Sequence, residues 1–144
     1  MIKNYLESDE TTSLSIIDID KLLPHEEVIV ERKNKLVKYL ESGDTIIIPS
    51  IICCKDSLMI IDGHHRYFAI KELGISKIAV TLIDYKSENI RTNDVDYLQV
   101  DKNALIKAAK SKLKLFPPKT TKHQIKDIDG NWRAILLISS LVEL

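Results

Sequence analysis

Residues 60–74 read IIDGHHRYFAIKELG, and the reading of this stretch decides the fold. Its first two residues continue an apolar run of strand character that starts at Leu58. From Tyr67 the apolar positions Tyr67, Ile70 and Leu73 recur at helical spacing, and Gly74 is a stop signal. A strand that becomes a helix across Asp62-Gly63 leaves the first helical turn with N–H groups that have no partner within the helix. Gly63 removes a Cβ and lets a ligand approach the backbone there. His64, His65 and Arg66 follow at once, so donors crowd the positive end of the helix, where an anion is favoured. The chemistry is that of a phosphate cradle. The alternative is Asp62 as an ordinary cap with solvated histidines.

On the N-terminal side, residues 14–19 predict a strand, Pro24 ends it, and the spacing of Lys33, Leu36, Val37 and Leu40 predicts a helix over about residues 30–41, with Gly43 just beyond. Residues 46–48 and 51–55 are extended and interrupted by Pro49, which favours an edge or a kink over a central strand. Residues 58–61 form another short buried strand behind a turn at Asp56-Ser57. On the C-terminal side, residues 78–83 are continuously apolar and predict a buried strand. Residues 14–85 therefore make an α/β unit. Residues 86–93 read as a polar loop, 95–100 are ambiguous between strand and coil, and 103–113 are helical up to Pro117-Pro118. Residues 132–144 are apolar enough for a last helix or strand.

A chain of 144 residues with 44% apolar content suits one domain. Its 21 basic and 21 acidic residues cancel, so bulk charge argues for neither nucleic acid nor membrane. The distribution is uneven. Residues 102–126 hold eight lysines and no acid, whereas residues 1–101 hold 18 acids against 12 bases. The start, MIKNYLESDE, lacks the apolar core of a signal peptide, and no apolar run approaches the ~20 residues of a membrane span, so a cytoplasmic protein is expected. Cys53 and Cys54 are adjacent in an apolar run, which fits neither a zinc spacing nor a disulfide framework and predicts core residues.

All four histidines fall in three stretches. His64 and His65 lie in the cradle, His25 in His25-Glu26-Glu27, and His123 at the end of Phe116-Pro-Pro-Lys-Thr-Thr-Lys-His123. Glu26 and Glu27 are carboxylates able to take a hydroxyl proton or hold magnesium, unless they only complement a helix start. Thr120, Thr121, Lys122 and His123 can grip a carboxylate or phosphate, unless they form a polar linker.

These stretches have a counterpart in a known group. Residues 24–27, 61–67 and 80–85 resemble the ParB/sulfiredoxin-like superfamily and, within it, the free-L-serine kinases; residues 116–123 resemble the basic Pro-Pro-Lys-Thr-Thr-Arg-His segment of that kinase branch. The resemblance runs from about residue 14 to residue 123. It implies a small mixed sheet with packed helices, in which residues 14–85 are the core and a helical, basic segment over residues 86–144 completes the site. It further implies transfer of a phosphoryl group from ADP or ATP, with Mg2+, to the hydroxyl of L-serine, giving O-phospho-L-serine. Under that reading Gly63, His64, His65 and Arg66 bind the donor phosphates, and Asp62 holds magnesium or orients a histidine. Glu26 is the catalytic base with Glu27 in reserve, and Thr120, Thr121, Lys122 and His123 contact the substrate.

The other chemistries of the superfamily fit less well. Sulfiredoxins carry a catalytic cysteine where His64 stands, and partition proteins of the ParB type carry a glutamate there, followed by a helix-turn-helix domain. Lys122 replaces the arginine of the kinase segment, giving a point charge instead of a planar fork. No Gly-x-x-x-x-Gly-Lys-Ser/Thr loop is present, which excludes a P-loop kinase. Two competing readings are a ParB-like, nucleotide-dependent regulator that touches DNA through its lysines and, behind it, a metal-dependent nuclease built on the paired histidines.

Overall fold

The computed structural model describes residues 12–92, 101–112, 115–118 and 121–144. The ambiguous stretch 95–100, and Thr120 among the candidate residues, lie outside the described residues. The β-branched run at the start forms β1 (Thr12–Asp18), followed by a 3-10 turn at Ile19–Lys21 and α1 (Val30–Glu41), the helix that the spacing predicts. Next come β2 (Ile47–Pro49), β3 (Ile51–Cys54), β4 (Ile60–Asp62), α2 (His64–Glu72) and β5 (Lys77–Ile83). The main sheet has the order β1-β5-β3-β4. β5 is antiparallel to β1 and parallel to β3, and the crossover between the parallel pair consists of β4 and α2.

β3 is buried at every position because the sheet is covered on both faces. Side chains alternate along a strand, so Ile51 and Cys53 enter one core with Val80, Tyr67, Ile70 and Val37 of α1. Ile52 and Cys54 enter the other, with Ile61, Ile83, Leu105 and Ile125. Both cysteines are free and buried, as expected, and burial pushes the Cys53 thiol well up.

The expectation of an edge or kink around Pro49 holds for β2 and not for β3. β2 pairs with a C-terminal strand, β9 (Leu141–Glu143), whereas β3 is an interior strand of the main sheet. The chain changes sheets at Ser50, whose hydroxyl is 2.7 Å from Thr81 Oγ1 and accepts from Ser140 N–H at 3.0 Å.

Residues 86–93 are not loop throughout, since Ile90–Thr92 forms β6. Among the described residues the C-terminal segment is α-helical only over α3 (Lys102–Ser111), and continues as β7 (His123–Lys126), β8 (Trp132–Ala134), a 3-10 turn at Ile135–Ile138 and β9. β6, β7 and β8 make a separate three-stranded sheet. Its inward residues Ile90 and Ile125 pack with Leu105 of α3 on the second face of the main sheet. No helix among the described residues is long and apolar enough to cross a membrane.

Candidate active site

The junction between β4 and α2 is built as the sequence suggests, with Gly63 at φ +111° between strand and helix. A Cβ on Gly63 would stand 2.8 Å from Arg66 Nη2 and 3.2 Å from Ile51, so the glycine makes room for the guanidinium. Gly63, and not Asp62, stands at the N-cap position of α2. The Asp62 carboxylate accepts from Arg66 Nη2 at 3.2 Å, and the same nitrogen donates to the Ser50 carbonyl at 3.3 Å. The capping role for Asp62 is thereby replaced by one that orients Arg66.

Glu26 is likewise no helix cap, because α1 begins only at Val30. It is buried and held in a bridge to Phe116. Phe116 N–H donates to the His25 carbonyl at 2.8 Å, and Glu27 N–H donates to the Phe116 carbonyl at 2.7 Å. The Pro-Pro segment and the His-Glu-Glu segment are thus tied together. Glu27 itself is exposed and lies outside the cleft lining.

The histidines form a buried group. His25 and His64 meet edge to face with centroids 4.5 Å apart, and His123 lies 6.3 Å from His25. Burial drives His25 down to about 4, opposed by the Ile60 carbonyl. Burial first, and then neighbouring His25, push His64 well below its ordinary range. The same burial takes His123 to about 3. All three are neutral at pH 7, so each has one N–H and one lone pair.

Backbone donors decide which nitrogen is which. His25 N–H donates to His64 Nε2 at 3.1 Å, and Ile29 N–H donates to His65 Nε2 at 3.0 Å. A backbone N–H can only donate, so in both rings Nε2 is the acceptor and the proton sits on Nδ1. His64 Nδ1 lies 3.8 Å from Glu26 Oε2. The two imidazoles therefore staple the 25–29 loop to α2 through their Nε2 atoms. Neither is merely solvated.

The same tautomers bear on metal binding. His25, Glu26 and His64 place ligand atoms within 4.8 Å of one another. A metal on His64 Nδ1 would require the proton to move to Nε2, against the incoming His25 N–H, so a transition-metal site of the His-Glu-His kind does not fit. The hard oxygen donors Asp62 and Glu26 do suit magnesium, which binds through one or two carboxylates together with substrate phosphates.

One cleft of about 360 Å³ gathers these elements. Its lining includes Glu26, Asp62, Gly63, His64, His65 and Arg66, together with Thr121, Lys122 and His123. Among the described residues these nine candidates share one cavity, and Glu27 does not line it. Thr121 Oγ1 is 3.2 Å from His25 Nε2, and exposed Lys122 stands at the rim. Most of the remaining basic segment is elsewhere: Lys102 donates to the Ser87 carbonyl, Lys126 lies over Trp132, and Lys107, Lys110 and Lys112 are exposed on or just after α3.

Sequence reasoning missed two kinds of residue. Tyr85, just past β5, lies with its hydroxyl 2.7 Å from His123 Nε2, and burial pushes its phenol well up. Nothing about a lone tyrosine after a strand signals this. Gln124, Ala134, Ile135 and Leu136 also line the cleft, brought there by β7, β8 and the 3-10 turn after them, short elements that carry little pattern. His25 had a signal, its place beside Glu26.

No family model matches the chain. Over 79 residues, 53% of its length, it is 40% identical to an ATP-dependent L-serine kinase of Staphylothermus marinus, of which the match covers 31%. Over 74 residues, 51% of its length, it is 42% identical to a ParB-like protein of Sulfolobus acidocaldarius, covering 36% of that protein. The matched part of this chain thus spans about a third of each relative. Among solved structures, a free serine kinase in complex with AMP superposes with a TM-score of 0.66 at 13% identity, over 76% of this chain and 86% of that one. The α/β architecture expected from the resemblance is the one observed, and it is shared with a free serine kinase.

Proposed function

We propose that the chain is a nucleotide-dependent phosphotransferase that moves a phosphoryl group from ADP or ATP to the hydroxyl of free L-serine. The observation that carries this reading is the convergence of three distant stretches, 26, 62–66 and 121–123, on one cleft. The L-serine kinase likeness over half the chain supports it. ATP, ADP and free serine are cytosolic solutes, so the reading also calls for a cytoplasmic protein. Residues 14–85 would supply the core and residues 86–144 the second wall of the site.

Phosphoryl transfer asks a protein chiefly for positioning and for neutralisation of charge. The first-turn N–H groups of α2, among them those of His64 and His65, and the Arg66 guanidinium would bind the donor phosphates, with the Nδ1–H of His64 turned to Glu26. Asp62 would hold magnesium, and the ion would supply neutralisation of phosphate charge. Glu26 would accept the proton as the serine oxygen forms its bond to phosphorus and the bond to the departing nucleotide breaks. Thr121, Lys122 and His123, with Thr120, would hold the amino acid through its carboxylate.

The test is to incubate the protein with L-serine, Mg2+ and either ADP or ATP and to look for O-phospho-L-serine, which also identifies the donor. Glu26→Ala and Asp62→Ala should abolish the product while leaving the circular dichroism spectrum unchanged. Wild-type turnover in both variants would defeat these roles.

The likeness to a ParB-like protein and the surface lysines favour a second reading, a nucleotide-dependent DNA-binding regulator. It requires DNA affinity that falls steeply with salt and depends on Lys107, Lys110 and Lys112.

A further inference from the structure

The main sheet ends differently on its two sides. Beside β4 the chain supplies its own cover: Leu23 N–H donates to the Leu58 carbonyl and Ile60 N–H donates to the Leu23 carbonyl, each at 2.9 Å. On the other side β1 is the outermost strand, and no strand among the described residues pairs with its outer edge. Edge strands are ordinarily protected by lysine, proline, a bulge or shortness, because an open row of N–H and C=O groups recruits another strand. β1 reads TSLSIID over seven residues, follows β5 without a register shift and has none of these protections.

One bond fixes the direction of its backbone groups. Ile19 N–H donates to the Ser76 carbonyl at 2.8 Å in continuation of the β1–β5 register, so the odd-numbered residues of β1 hydrogen-bond to β5. The even-numbered residues Thr12, Leu14, Ile16 and Asp18 therefore turn their N–H and C=O groups outward. Their side chains share one face of the strand, on which Leu14 and Ile16 are 52% and 75% exposed.

This pattern is complementary to itself. With a second β1 lying antiparallel and Ser15 opposite Ser15, Leu14 of one copy faces Ile16 of the other, and Thr12 faces Asp18. These are the hydrogen-bonded pairs of the new ladder, two Leu–Ile contacts form on one face, and no like charges meet along the strand. Because the β4 edge of the sheet is already covered, a two-fold of this kind closes at two chains.

We propose that β1 is a dimerisation edge, on which a second copy of this chain adds antiparallel about a two-fold at Ser15 and continues the main sheet. β1 and β4 lie at opposite ends of the strand order, so the cleft beside β4 stays open in both copies.

Sedimentation equilibrium of the whole chain over a range of concentrations should give a mass that rises from one chain to two. Ile16 belongs to neither core, so Ile16→Lys should keep the circular dichroism spectrum. It should weaken association by about tenfold or more, since a two-fold counts each substitution twice. Cysteine cross-linking reads the register, the native cysteines being buried. In the non-hydrogen-bonded Ser15 pair the Cα atoms stand about 4.5 Å apart, within disulfide reach, so Ser15→Cys should give a covalent dimer under mild oxidation. Ser13→Cys, which faces Ile17 of the other copy, should not. A chain that stays monomeric at every concentration, with Ser15→Cys unlinked, overturns the proposal and leaves the edge to the residues before Thr12 or to solvent. A dimer that ignores Ile16→Lys, or that cross-links equally at 13 and 15, has its interface elsewhere and overturns it as well.

Discussion

His64 spends its acceptor nitrogen on the backbone of the preceding loop and turns its donor nitrogen to Glu26. The two halves of the ring can be removed separately. Glutamine at 64 reaches the Nε2 position and satisfies His25 N–H but offers no donor at Nδ1, whereas asparagine does the reverse. His64→Gln should therefore keep its stability and lose turnover. His64→Asn should lose about 1–3 kcal/mol in urea unfolding, the cost of a buried N–H left without a partner, and retain more activity per folded molecule. Parallel losses in both variants would refute the division. The same buried rings give a pH dependence. An imidazole of ordinary pKa 6.5 in the unfolded chain falls to about 4 at His25 and about 3 at His123 on folding. Below 6.5 the unfolded state holds protons that the native state refuses, so stability is complete above pH 7 and declines as the pH falls through 6.5 towards 4. Each ring contributes a slope of about 1.4 kcal/mol per pH unit there. Thermal melts between pH 7.5 and 4.5 should show this fall, and His123→Gln should reduce the slope; a flat profile across that window would contradict the neutral, buried state of the rings.

The element on which the site turns is the β4–α2 junction. Gly63 holds φ +111°, where a side chain is strained, and the space of its missing Cβ is occupied by the Arg66 guanidinium. Gly63→Ala should cost about 1–3 kcal/mol of stability and displace Arg66 from the cleft. It should also weaken nucleotide binding beyond what the stability loss explains; calorimetry with ADP on the folded variant measures the second effect, and unchanged affinity would detach Arg66 from the phosphates. This junction was legible in the sequence because period and punctuation agree there: buried Ile60 and Ile61, a glycine, and then Tyr67 and Ile70 at helical spacing. α1 was legible for the same reason. β6, β7 and β8 were not, since strands of three or four residues hold barely two alternations and Ile125 is the only fully buried position in β7. The site followed the same division. The charged side came from motifs, whereas Gln124 and Ala134 were unreadable because register and sheet pairing, rather than local composition, bring them to the cleft, and Tyr85 because its link to the site is a single hydroxyl contact with His123.

At the scale of the molecule, the two cores on opposite faces of the main sheet have different work. The first, with Ile78, Val80, Val37 and Ile70, clamps α1 and α2 to the sheet. The second, with Ile52, Ile61, Leu105 and Ile125, fixes the β6–β7–β8 sheet against the strand that carries Asp62. The second core helps to set the width of the cleft, since Ile61 and Ile135, lining residues from its two sides, both belong to it. A matched pair of truncations separates stability from geometry. Ile78 and Ile125 are the same residue type, each in a strand and 4% and 0% exposed. Ile78→Ala and Ile125→Ala should each lose about 2–5 kcal/mol, the range for buried isoleucine cut to alanine. Only Ile125→Ala loosens the wall that presents His123 and Gln124, so only it should raise the KM for both nucleotide and serine when assayed well below either melting transition. Equal KM changes in the two variants would mean that the cleft is held by the main sheet alone and that the C-terminal sheet is a bystander to the site.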